Sequence, residues 1–86
     1  MGMINEIKDD MRRISEAADQ HTERLTREEG YILETISKLQ TNFGEQQAGK
    51  EAIRYLYSIK DRIGTIKCYL EQIKTDTYRV INGVSK

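Results

Sequence analysis

The sequence predicts an all-α fold: an antiparallel hairpin of two long helices that dimerises into a four-helix bundle. Three observations point there. From Ala52 onward, residues Leu56, Ile59, Ile63, Ile66, Leu70, Ile73, Thr77, Val80 and Val84 follow at steps alternating four and three. That spacing keeps one stripe of a helix against a partner helix. Near the start, Ile4, Ile7, Met11, Ile14, Ala18, His21 and Leu25 repeat it. The 86 residues include no proline, and 33% are charged, a composition of long helices rather than of a mixed fold.

The first helix is expected over residues 3–41. Its apolar row slips in phase after Leu25 and resumes at Ile32, Ile36, Leu39 and Phe43, as a stutter produces. Gly30 sits at the slip and costs about 1 kcal/mol relative to alanine in a helix interior. Thr41-Asn42-Phe43-Gly44 reads as a stop, with Gly44 in the left-handed conformation that ends helices. The turn is placed at 42–45. Glu45, Gln46 and Gln47 open the second helix, expected over 46–82. The whole is one helical-hairpin domain, 1–86.

Folding the chain at Gly44 pairs positions whose numbers sum to about 88. Ile4 then meets Val84, Ile7 meets Val80 or Ile81, and Met11 meets Thr77. Ile14 meets Ile73, Ala18 meets Leu70, Leu25 meets Ile63, Ile32 meets Leu56, Ile36 meets Ala52, and Leu39 meets Gly49. Small residues near the turn let the helices approach. Charge agrees with the pairing. Residues 1–44 carry six Lys/Arg and nine Asp/Glu, a net of −3; residues 45–86 carry eight and five, a net of +3. An acidic arm beside a basic arm is complementary.

So short a chain buries little surface and usually needs a staple or a partner subunit. Cys68 is the only cysteine, so no disulfide forms within the chain. A lone thiol suits the reducing cytoplasm. No basic segment followed by an apolar core opens the sequence, and no apolar run spans a membrane.

His21, the only histidine, lies on the seam without other ligands at metal-binding spacing. Glu28 occupies a seam position too, and is expected to reach solvent or to pair with Arg24 or Arg62. No phosphate-binding glycine loop, paired cysteine motif or nucleophile elbow occurs, and no cofactor is expected. Lys60, Lys67 and Lys74 recur every seven residues. They form either a basic stripe for an acidic or nucleic-acid partner or a solvated flank balanced by the first helix. Zero net charge and the absence of a nucleic-acid motif favour the flank. Tyr31, Leu33, Phe43, Ile53, Tyr55 and Tyr57 cluster near the turn. A two-helix hairpin cannot cover so wide an apolar arc, which marks an interaction surface. Tyr69, Tyr78 and Ile81 form a smaller group near the termini.

Two arms of about forty residues, a turn containing an aromatic and a glycine in Asn42-Phe43-Gly44-Glu45, and the absence of a signal peptide give the chain a likeness. It resembles the WXG family of small type VII secretion proteins, the ESAT-like helical hairpins. Here Phe43 stands for the family's tryptophan and adjoins Gly44 directly. Tyr57 and Asp61 match the letters of the family's export signal, but within the second helix. The resemblance implies dimerisation and export, alone or with a partner.

The expected function is that of a non-enzymatic protein–protein interaction module, a small adaptor, chaperone-like partner or inhibitor acting through the face near the turn. Its partners would be a second copy, another protein, or both, with no membrane involved. The alternatives are a type VII secretion substrate or accessory protein, exported without a classical signal, and a small nucleic-acid-associated regulator using the lysine stripe.

Overall fold

The computed structural model describes residues 2–85, and the side chains of residues 2–83. The chain is an all-α helical hairpin: α1 (Gly2–Phe43), a turn at 44–46, and α2 (Gln47–Ser85). Among the described residues there is no strand.

Within the helices, several polar side chains bond back to the backbone. Threonine hydroxyls donate to carbonyls four residues back, Thr22 to Ala18 at 2.9 Å and Thr35 to Tyr31 at 3.0 Å. Short-range ion pairs such as Lys38–Glu34 at 3.3 Å lie on the outside, worth about 0.2–0.5 kcal/mol each. The same back-bonding recurs at the end of α1, which runs on through Asn42 and Phe43, residues the sequence assigns to the turn. Thr41 Oγ1 donates to the Ser37 carbonyl at 3.0 Å, and Asn42 Nδ2 to the Lys38 carbonyl at 2.8 Å. Both side chains fold back along the helix instead of ending it.

The turn also closes differently from the expectation. No described residue has a positive φ, so Gly44 is not a left-handed stop. Its need is for space. A Cβ on Gly44 would lie 2.5 Å from the Gln40 carbonyl oxygen. The Gln46 N–H donates to the Phe43 carbonyl at 3.1 Å, and the Gln46 carbonyl accepts from Lys50 N–H at 3.0 Å, starting α2. Gly49 follows one residue before Lys50 and is buried. A Cβ there would come within 2.8 Å of the Phe43 Cβ and nearer still to the Phe43 carbonyl oxygen. The first turn of α2 can press on the end of α1 only because position 49 has no side chain.

The molecule divides into two compact units. One consists of Arg24–Ile66 and contains the turn. Leu25, Ile36 and Ile63 are its buried apolar side chains, with Ile32, Leu39, Leu56 and Ile59 half-buried around them. The other consists of Met1–Glu23 with Lys67–Lys86. Ala18 and Thr77 are buried there, and Ile7, Met11, Leu70 and Ile81 are half-buried. Thr77 satisfies its hydroxyl by donating to the Lys74 carbonyl at 2.9 Å. Between Ile7 and its two expected counterparts, Ile81 is covered and Val80 is not. Val84, the expected partner of Ile4, lies outside the described side chains.

Candidate functional site

Burial sorts the seam of α2 into three rows at seven-residue spacing. The central row, Gly49, Leu56, Ile63, Leu70 and Thr77, is buried or half-buried throughout. One neighbouring row, Ile53, Lys60, Lys67, Lys74 and Ile81, is half-buried throughout. The other row is Ala52, Ile59, Ile66, Ile73 and Val80. Ile66, Ile73 and Val80 remain 42%, 39% and 41% exposed. The lysines are thus partly covered, and the isoleucines beside them partly open, the reverse of what hydropathy alone suggests. Lysine achieves this because its stem is a hydrocarbon that packs while the ammonium reaches out.

On α1 the same division holds. Lys8, Ser15, Thr22 and Glu29 are half-buried and Ile36 is buried. On the other side Ile14 is 43% exposed, and His21 and Glu28 are exposed. One flank of the seam is therefore covered by lysine and mixed polar residues, and the other leaves isoleucines exposed on both helices, with His21 and Glu28 beside them on α1.

The closed flank carries the defining ion pair of its unit. Lys74 Nζ lies 2.6 Å from an Asp19 carboxylate oxygen and 3.9 Å from Glu71. The hydrogen bond to Asp19 raises the Lys74 pKa above its ordinary value of 10.5; partial desolvation opposes it, and the charges of Asp19 and Glu71 add to it. At this position the lysine row holds the arms together instead of facing outward.

The open flank shows a shallow groove in each unit. In the unit containing the turn, Ile32, Ile59 and Ile63 form the floor of a groove of about 490 Å³, with Tyr31, Arg24, Arg27 and Glu28 around it. In the other unit, Ile14, Ala17, Ala18, His21, Leu70 and Ile73 line one of about 330 Å³. Both members of the expected pairs Ile14–Ile73 and Ala18–Leu70 line this second groove.

Of the residues grouped near the turn by sequence, Tyr31, Leu33, Phe43, Tyr55 and Tyr57 are exposed and Ile53 is half-buried. Their helical spacing divides them. Tyr31 and Leu33, like Tyr55 and Tyr57, are two residues apart, about 200° around a helix. Tyr31 borders the open groove; Leu33 lies across the helix from it. Tyr69 and Tyr78 are similarly separated by nine residues, about half a revolution; Tyr78 and Ile81 line a cleft with Arg12, Ser15, Glu16 and Asn82. Sequence reasoning missed the open row as a distinct surface because Ile59, Ile66, Ile73 and Val80 were all assigned to the interior. The signal was present: one heptad row beyond the central one is lysine-rich, the other wholly apolar.

Among the described residues no group of three His, Cys, Asp or Glu side chains gathers as a metal site would. Cys68 is an exposed free thiol. Among the described residues no helix is long and apolar enough to cross a membrane. Comparison with protein-family models, curated proteins and solved structures finds no match.

Proposed function

We propose that the chain is a non-enzymatic protein–protein interaction module that acts by presenting the open flank of its hairpin to a partner. The observation that carries this reading is the exposure of Ile14, Ile66, Ile73 and Val80, positions whose heptad spacing belongs to helix packing. Apolar side chains repeated on one face of a helix pack against another helix. The grooves are shallow and floored by aliphatic side chains, suited to interdigitating side chains rather than to enclosing a small substrate. An adaptor, a chaperone-like partner and an inhibitor all work through such a face. The exposed Cys68 thiol supports the reading of a reducing compartment such as the cytoplasm as its place of action.

The test uses a tagged chain to capture either proteins of the host cell or an untagged copy of itself. Ile59→Glu and Ile73→Glu are expected to abolish capture, and Leu33→Glu, across the helix from the groove, to leave it intact. Equal capture by all three variants and the unaltered chain would remove the open flank as the binding surface.

A further inference from the structure

Taking the open flank as the binding surface, we infer that its groove in the unit containing the turn receives an amphipathic helix of another protein, one whose apolar face is flanked by carboxylates. The chemistry of the partner is read from the groove and its rim, all within Arg24–Ile66.

The floor sets the apolar part. Ile32 of α1 and Ile59 and Ile63 of α2 form it. A third helix laid between two others inserts its own aliphatic row into such a floor. Tyrosine stands on both sides. Tyr31 borders the groove and is 71% exposed. Tyr55 precedes Ile59 by four residues, which makes the two neighbours on the surface of α2, and it is 67% exposed. Tyrosine and arginine are the residue types that interfaces favour over the rest of a protein surface.

Charge on the rim selects the occupant. Arg24 and Arg27 line the groove, against the one lining carboxylate, Glu28. Arg62, three residues after Ile59 and on its side away from Ile63, adds another exposed guanidinium. Glu23 lies four residues before Arg27 and Glu28 four after Arg24, yet among the described residues no carboxylate pairs with Arg24, Arg27 or Arg62. In the other unit each arginine pairs with an aspartate three residues earlier: Arg12 with Asp9, Arg13 with Asp10 and Arg79 with Asp76. The arginines at the groove are thus left to accept carboxylates from outside, which their planar donors match two at a time. A two-fold pairing of two such grooves would set arginine against arginine, which favours a different chain over a second copy. The arginines also stand at one end of the groove. Arg24 and Arg62 are twenty and eighteen residues from Gly44, and Tyr31 and Tyr55 are thirteen and eleven from it. The two levels are about 10 Å apart along the helices. The partner helix is therefore expected to carry its carboxylates about two turns from the residues that meet the tyrosines.

The experiment is fluorescence anisotropy of dye-labelled synthetic helices titrated with the complete chain. One peptide of about 18 residues, roughly five turns, carries leucines at heptad spacing with glutamates flanking them. A second carries lysine in place of every glutamate. The acidic peptide is expected to bind about tenfold more tightly, the combined effect of two or three exposed ion pairs, and added salt should shrink the difference. Arg24→Glu combined with Arg27→Glu, both at exposed positions, is expected to reverse the preference while circular dichroism remains helical. Ile59→Glu is expected to weaken both peptides. Equal affinity for the two peptides, binding of neither, or acidic-peptide binding that survives Ile59→Glu would each overturn the inference. So would sedimentation of the chain as a dimer that Ile59→Glu dissociates, which would give the groove to a second copy. Capture of a host protein that is lost on Ile59→Glu but untouched by the arginine reversals would refute the acidic partner and leave the interaction-module reading standing. Capture indifferent to both Ile59→Glu and Ile73→Glu would refute the module reading itself.

Discussion

Lys74 places its ammonium 2.6 Å from the carboxylate of Asp19, joining the two helical segments of one compact unit through a lysine whose side chain is only 30% exposed. The pair has a defined pH dependence. The Lys74 pKa is raised in the folded protein, chiefly by the hydrogen bond from its ammonium to Asp19. Its contribution to stability is therefore fully present below the ordinary lysine value of 10.5 and is lost as pH rises through the higher folded value. Urea midpoints of the unaltered protein and of Lys74→Met should differ by a constant amount through neutral pH, and the difference should shrink as pH rises above 10.5. Added salt should narrow the difference at neutral pH as well.

The glycines divide into those that make room and those that do not. Gly49→Ala would drive its Cβ into the Phe43 backbone and should cost about 1–3 kcal/mol, the range for overpacking. Nothing lies within 4 Å of a Cβ added at Gly30 or Gly64. Alanine at either position should stabilise by about 0.5–1 kcal/mol, because it restricts the unfolded chain more than glycine does. Thermal unfolding followed by circular dichroism measures all three.

Ile36 and Leu33 are neighbours on α1 with opposite surroundings. Ile36 is 2% exposed and Leu33 is 44% exposed. Ile36→Ala should cost about 2–3 kcal/mol, from lost transfer energy and a residual cavity. Leu33→Ala should stay within about 0.5 kcal/mol, as surface substitutions generally do. Urea unfolding of the two variants provides the comparison.

Much of the fold was legible from spacing alone. The alternation of threes and fours marked both helices, and folding about Gly44 set Ile14 opposite Ile73 and Ala18 opposite Leu70, all four of which line one groove. The turn was less legible. A glycine after a helix suggests a left-handed residue, but the requirement at Gly44 is clearance from Gln40. That follows from the backbone angles at the end of α1, which residue types alone do not specify. Asn42 was ambiguous for a related reason. Its amide can end a helix or bond back to Lys38, and here it does the latter.

The candidate surface was harder to read because a heptad pattern does not say which side of its central row is covered. With isoleucines on one side and lysines on the other, hydropathy favours burying the isoleucines. In the hairpin the lysine stems of Lys60, Lys67 and Lys74 are half-buried, and Asp19 receives the Lys74 ammonium. The isoleucine row is left at the edge. Only side-chain geometry separates a lysine that lies along its neighbour from one that points away.

Isoleucine methyl NMR with a soluble gadolinium agent tests most directly the claim that the lysine side of the seam is covered and the isoleucine side left open. The Ile36 and Ile63 methyls should be protected, and those of Ile14, Ile66 and Ile73 strongly broadened. Broadening of Ile36 and Ile63 as severe as that of Ile73, or an Ile73 methyl as well shielded as that of Ile36, would contradict the account.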